Sequence, residues 1–262
     1  MAVYAAMIDR MDQGIGRIVR ALRQHGMEEN TLIFFLSDNG GCAEYLREDG
    51  PTQSGMYPAR DGKPVRIGNI RGLEPGGPHT FMSYDRPWAN ASNTPFRLYK
   101  HWVHEGGIST PCLAYWPGVV PPRSLSHQPV HVIDLLPTLL EAAGAPYPPH
   151  NGSRHVLPLE GQSLLPLLRG ERWEREGALF WEHEGNQAVR LGRWKLVRQY
   201  PGNWELYDME EDRTELNDLA NSYPDVVQHL SELYREWAER CQVLPWERLQ
   251  EIRRQRRQQA KG

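Results

Sequence analysis

The stretch Thr31-Leu32-Ile33-Phe34-Phe35-Leu36, followed at once by Ser37-Asp38-Asn39-Gly40-Gly41, decides the fold class. It begins with a short, uninterrupted apolar run, the pattern of a strand buried on both faces in a parallel sheet flanked by helices. Working outward toward the start, Tyr4, Met7, Ile8, Met11, Ile15, Ile18, Val19 and Leu22 recur at helical spacing. An amphipathic helix therefore precedes the strand and ends near His25-Gly26. Helix then buried strand reads as α/β. Ser37 to Gly41 falls at the strand's carboxyl end, where open α/β sheets place their ligands. Asp38 brings a carboxylate and Asn39 a carbonyl oxygen, the hard ligands that calcium or magnesium prefers, while the two glycines admit close backbone approach. Taken alone, the same residue types more often make an ordinary strand-to-loop turn.

Working outward in the other direction, Gly40 to about Asn93 is rich in Gly, Pro and polar residues and shows little periodicity. Loops that long commonly shape sites. Next comes Asn93-Thr94-Pro95-Phe96-Arg97-Leu98-Tyr99-Lys100-His101-Trp102-Val103-His104-Glu105-Gly106-Gly107-Ile108. The ammonium of Lys100 is a compact charge that can neutralise an oxyanion such as sulfate or phosphate, and a histidine beside it, His104 being the candidate, can move a proton. A lone lysine is ordinarily just solvated. Thr110 to Trp116 is a second strand, and Val130 to Leu140 is a helix stopped by Gly144, with Pro137 kinking it or lying in its first turn. His131 and Asp134 suit capping better than metal binding.

Pro-rich sequence from Pro146 to Pro166 marks a boundary, so two domains are expected, 1–165 and 166–262. The second contains four short segments, 178–181, 187–191, 194–198 and 204–207, separated by glycine-bearing turns, which predicts a small antiparallel sheet. Lys195 is read as a residue of that sheet with no part in the site, and His183 as structural or on a rim. Pro224 opens a helix whose apolar face covers the sheet. From Glu247 the chain is highly charged, the mark of a solvated helix end.

With 262 residues the chain can bury one good core, and its formal charge of -3 gives no basic field, so no nucleic-acid partner is expected. No apolar run approaches the ~20 residues of a membrane span, so no membrane partner is expected either. The three cysteines, Cys42, Cys112 and Cys241, are too few and scattered for a disulfide framework or a thiolate zinc site, and leave the compartment unread.

The two constellations, in this order and about this far apart, resemble the sulfatases of the alkaline-phosphatase superfamily. So do Ala6 to Asp12, Val132 to Leu140, Ala188 to Val197 and Trp204 to Asp208, and the likeness covers nearly all of 1–245. It implies an α/β fold: the C-terminal part of an alkaline-phosphatase-like sandwich plus a small subdomain with a four-stranded antiparallel sheet and a packed helix. It implies that Asp38 and Asn39 are the downstream pair of calcium ligands and that Lys100 holds the sulfate near the leaving oxygen. His104 stands in the same segment as a catalytic candidate without a firm family role. In such enzymes, many of which are exported, a cysteine becomes formylglycine, whose hydrated aldehyde attacks sulfur.

The family's Cys-x-Pro-x-Arg signature does not occur here, nor does its serine form. The nucleophile, two further aspartates and the rest of the sulfate pocket are expected upstream of Met1. The resemblance thus implies part of an arylsulfatase-type sulfuric ester hydrolase, inactive alone, with a sulfate ester and the missing N-terminal segment as partners. The alternatives are a phosphodiesterase or phosphonate monoester hydrolase of the same superfamily, and a non-catalytic binding module. The loop from Cys42 to Ser92 is expected to overhang the pocket and set leaving-group preference.

Overall fold

The computed structural model describes residues 1–49 and 58–259. The part of the expected overhanging loop at 50–57 lies outside them. Contacts group the chain into two compact units: Met1–Arg17, Ser37–Thr110 and Phe180–Gly262 in one, Ile18–Leu36 and Pro111–Leu179 in the other. The C-terminal sheet thus shares a unit with the segment that carries Lys100.

The amphipathic pattern at the start becomes α1 (Ala2–Gln24), ended by Gly26 in the left-handed region at φ 64°, where glycine meets no Cβ penalty. None of its residues is buried; Met7 is 66% and Ile18 61% exposed. The apolar run after it forms β1 (Ile33–Leu36). After β1 come β2 (Arg66–Ile67) and β3 (Thr80–Phe81), a parallel pair, then α2 (Asp85–Asn93), the four-residue α3 (Glu105–Ile108) and β4 (Cys112–Tyr115).

The pairing of β1 corrects the expectation of a buried parallel strand. It is antiparallel to β4, with Ile33 opposite Tyr115 and Leu36 opposite Cys112. Among the described residues the sheet has two strands, and Phe35 and Leu113 are exposed. An uninterrupted apolar run signals that both faces of a strand can be covered; it carries nothing about the direction of the neighbour.

In the same unit as β1 and β4, α4 (Leu135–Ala143) has Pro137 in its first turn and Gly144 at its end, φ 61°. His131 and Asp134 cap the turn before it reciprocally, His131 Nδ1 accepting from Ile133 N and Asp134 Oδ2 from His131 N. Asp134 is wholly buried, pairs with Arg175 and accepts from Gln162 N at 2.9 Å. These bonds satisfy the carboxylate, as the capping reading expects. The hairpin β5 (His150–Asn151) and β6 (Arg154–His155) and the short α5 (Leu165–Leu168) complete that unit.

The C-terminal segments form β7 (Leu179–His183), β8 (Asn186–Leu191), β9 (Trp194–Arg198) and β10 (Glu205–Asp208), in sheet order β10-β9-β8-β7. Ala188 pairs with Val197 and Tyr207 with Lys195, which sets these four side chains on one face. That face packs on Val103 and Ile108. The opposite face carries Val189 and Leu196, on the strands that α6 (Pro224–Arg240) lies against while burying its own Leu230 and Tyr234, and Leu206 on β10 beside them. The sheet is therefore covered on both sides. The charged tail forms α7 (Trp246–Gln259), with no buried residue.

Candidate functional site

The two constellations singled out in the sequence meet backbone to backbone. Gly40 N donates to Gly107 O at 3.0 Å and Lys100 N to Gly41 O at 3.0 Å, while Thr110 Oγ1 donates to Ser37 O at 3.0 Å. The approach is so close that a Cβ on Gly40 would stand 1.8 Å from Gly106 O, and one on Gly107 would stand 1.9 Å from Trp102 O. Only glycine fits at either position.

Asn93, the last residue of α2, staples the seam. Its Oδ1 accepts from Gly41 N at 2.7 Å, and its Nδ2 donates to Gly106 O at 2.7 Å and to Leu98 O at 2.9 Å. The sequence reading saw only loop here. Asp85 to Asn93 has Pro87 in its first turn and Asn, Ser and Asp elsewhere, residues of weak helix propensity. The signal it does carry is the spacing of Ala89 and Asn93, the buried pair at i and i+4.

Asp38 emerges from this seam exposed, Asn39 half-buried and Lys100 exposed. Leu98 and His101, on either side of Lys100, have φ of 64° and 100°. Non-glycine residues adopt such angles at a cost, which the surrounding bonds hold in place.

The segment that carries Lys100 also carries a cluster of buried charge. His104 is fully buried, its Nε2 3.2 Å from Glu205 Oε2, which also accepts from Tyr207 Oη at 2.7 Å. The bond from His104, and the further one from Tyr207, outweigh burial and hold the Glu205 carboxyl down at about 2. Burial pushes the Tyr207 phenol up, and its bond to Glu205 adds to that. Arg97 bonds Tyr207 Oη and Glu215 O.

Lys195 is fully buried as well, with its Nζ 2.8 Å from Glu105 Oε1 and 2.7 Å from Glu215 Oε1. Burial works against its charge, yet the two carboxylates hold its pKa above the ordinary value. Likewise, burial would raise the Glu105 carboxyl, and Lys195 keeps it low. Glu215 Oε2 also accepts from Glu105 N at 2.8 Å. Lys195 is therefore no bystander of the sheet, as its sequence position suggests, but the cation that fixes the turn beginning at Glu105.

Elsewhere, among the described residues, the side chains of His101, His183 and Glu184 bring potential ligand atoms within 4.8 Å of one another. The sequence gives no spacing that joins residues so far apart. Among the described residues no helix is long and apolar enough to cross a membrane.

This arrangement is the alkaline-phosphatase-like fold of the sulfatases. The solved structure of Ps i-CgsB matches it with a TM-score of 0.64 over 90% of this chain and 42% of that chain, at 24% identity. The family description "Sulfatase" matches residues 1–145, and "N-sulphoglucosamine sulphohydrolase, C-terminal" matches 96–240. The chain belongs to the sulfatase family. An uncharacterized sulfatase of Schizosaccharomyces pombe is 33% identical over 243 residues, covering 89% of this chain and 42% of its own length. An arylsulfatase of Klebsiella aerogenes is 35% identical over 180 residues, covering 68% of this chain and 37% of its own length. The chain thus spans about two fifths of the length of such relatives.

Proposed function

We propose that this chain supplies the downstream half of a sulfuric ester hydrolase site of arylsulfatase type. The observation that carries the reading is the seam: backbone bonds between Gly40 and Gly107 and between Gly41 and Lys100 bring a hard-cation donor pair and an exposed ammonium onto one support.

In this reading Asp38 and Asn39 hold a calcium ion. Their donor set suits it, a carboxylate and an amide oxygen on a glycine-lined turn, but two side chains fill only part of a sphere of six to eight oxygens. When bound, such an ion polarises a sulfate oxygen. Formylglycine has no place among these residues, because none of Cys42, Cys112 and Cys241 stands in a Cys-x-Pro-x-Arg context. The nucleophile and the remaining ligands are assigned to a segment like the one the longer relatives carry. The exposed apolar residues of α1, β1 and β4 suit a partner of that kind.

Lys100 acts on the oxygen that leaves. Charge builds there as the S–O bond breaks, so an ammonium held beside it gains more in the transition state than in the ground state. His104, fully buried and bonded to Glu205, serves in this reading to anchor the Lys100 loop. The likeness to sulfatases favours sulfate over phosphate esters, and no substrate beyond that class is assigned.

The test completes the chain with the upstream segment of a relative, its cysteine matured, and measures turnover of an aryl sulfate. Lys100→Ala should lower kcat on the order of 100- to 1000-fold. Arg235→Ala, on the exposed side of α6, should leave it unchanged. Near-equal turnover for both variants refutes the Lys100 assignment, and hydrolysis of a phosphonate ester but not the sulfate moves the protein to the other branch of the superfamily.

A further inference from the structure

We propose that His101, His183 and Glu184 form a binding site for zinc or a similar borderline divalent cation, separate from the oxygen-only pair at Asp38 and Asn39. Two imidazoles and a carboxylate are a zinc donor set that leaves a fourth position for water.

One pair of these atoms stands at the spacing of two ligands of one ion. His101 Nδ1 stands 3.4 Å from Glu184 Oε2. A good N–H···O bond closes to about 2.9 Å. With Zn–N near 2.0–2.1 Å and Zn–O near 2.0–2.2 Å, two corners of a tetrahedron lie roughly 3.4 Å apart. The His101 and His183 rings meet edge to face with centroids 5.2 Å apart, so both imidazoles border the same space.

The backbone holds these groups at a cost. Glu184 and Gly185, at φ 52° and 85°, are the two-residue loop that joins β7 to β8. Such tight hairpin loops favour Asn or Asp before Gly. Glu in that place bears strain that the shorter residues avoid, and offers in exchange a carboxylate long enough to reach His101. His101 itself sits at φ 100°.

A supporting layer is present as well. Asn186, buried, donates from Nδ2 to His183 O at 2.8 Å and so braces the turn that carries His183 and Glu184. Tyr200 N donates to Asn186 Oδ1 at 3.1 Å and so fixes the orientation of that amide. Arg253 stands 3.4 Å from Glu184 Oε1 and leaves Oε2 to the cation. A bound ion would clamp the β7–β8 turn onto the loop that carries Lys100.

The test titrates cobalt(II) into the full chain after chelator treatment and follows the ligand-field absorbance of low-coordinate cobalt, with zinc as competitor. One saturable equivalent is expected, displaced by zinc. It should be abolished by His183→Ala, a change at an exposed side chain, and retained in Asp38→Ala. The isosteric Glu184→Gln should weaken binding by more than the roughly 10- to 100-fold that loss of a merely supporting partner costs. Circular dichroism identical to that of the parent certifies the fold of each variant. Absence of the cobalt band, or binding by His183→Ala equal to that of the parent, overturns the proposal.

Discussion

Replacing Lys195 with methionine tests the buried charge layer most directly. Methionine keeps most of the aliphatic stem and removes the ammonium that lies 2.8 Å from Glu105 and 2.7 Å from Glu215. At an effective dielectric constant near 20, each contact is worth about 6 kcal/mol of Coulomb energy. The desolvation of the ammonium, no longer required in the variant, offsets much of that, while the two carboxylates are left facing each other out of water. Removing one partner of a buried ion pair nets a loss of about 3–5 kcal/mol, and a loss in this range is expected at pH 8. The loss should also depend on pH with a definite sign. Burial raises the Glu105 carboxyl and Lys195 lowers it, so without the lysine the folded variant takes up a proton that the unfolded chain releases more readily. The variant's stability therefore rises as pH falls from 8 toward 5, and its deficit shrinks. Urea unfolding followed by tryptophan fluorescence at both pH values measures this. A deficit under about 1 kcal/mol at pH 8, or one that does not shrink on acidification, refutes the reasoning. Adding Glu105→Gln and Glu215→Gln to the methionine variant should recover part of the loss.

Asn93→Ala removes all three bonds of the staple and leaves Gly106 O short of a donor, so urea unfolding should show a loss of about 2–4 kcal/mol; an effect below about 0.5 kcal/mol would mean the seam holds without it. Because the Glu205 carboxyl falls from its ordinary 4.5 to about 2 on folding, its stabilisation is complete above about pH 4.5 and is lost as pH drops toward 2. Glu205→Gln should flatten the acid limb of the stability curve over that window, and an unchanged limb contradicts the pairing. Calorimetry of the chain should find calcium binding weaker than about 1 mM, abolished by Asp38→Ala, since two side chains leave most of the coordination sphere to water; micromolar binding would require ligands other than these.

Much of the fold was legible because it rests on local periodicity. The 3.6-residue spacing from Tyr4 to Leu22, the glycine and proline stops, and the four short C-terminal strands each state their own conformation in neighbouring residues. The backbone seam of the candidate site was legible in part for a different reason. Gly40-Gly41 and Gly106-Gly107 sit where two backbones touch, and glycine at a close approach leaves a trace in the chain. α2 was not legible, since its residues are poor helix formers held helical by the burial of Ala89 and Asn93. His101 and His183 were noticed only as scattered histidines; nothing local ties residue 101 to residue 183.

The amino-acid sequence by itself determined the long first helix, the two apolar strands, the helix stopped by Gly144, and the four short C-terminal strands with the helix opened by Pro224. It also determined that Asp38, Asn39 and Lys100 belong to glycine-bounded loops, and that no cysteine here stands in the nucleophile's signature. The tertiary structure alone decided the antiparallel partner of β1 and the fate of Lys195. Alternation along β9 sets Lys195 on the face opposite Leu196, which in a sheet covered on one side would be the solvent face. Here α6 lies on one side and the Val103 to Ile108 segment on the other, so the ammonium is sealed in with Glu105 and Glu215. A strand's periodicity specifies on which face each side chain lies; what covers that face depends on residues distant in the chain, and so emerges only when the chain is folded.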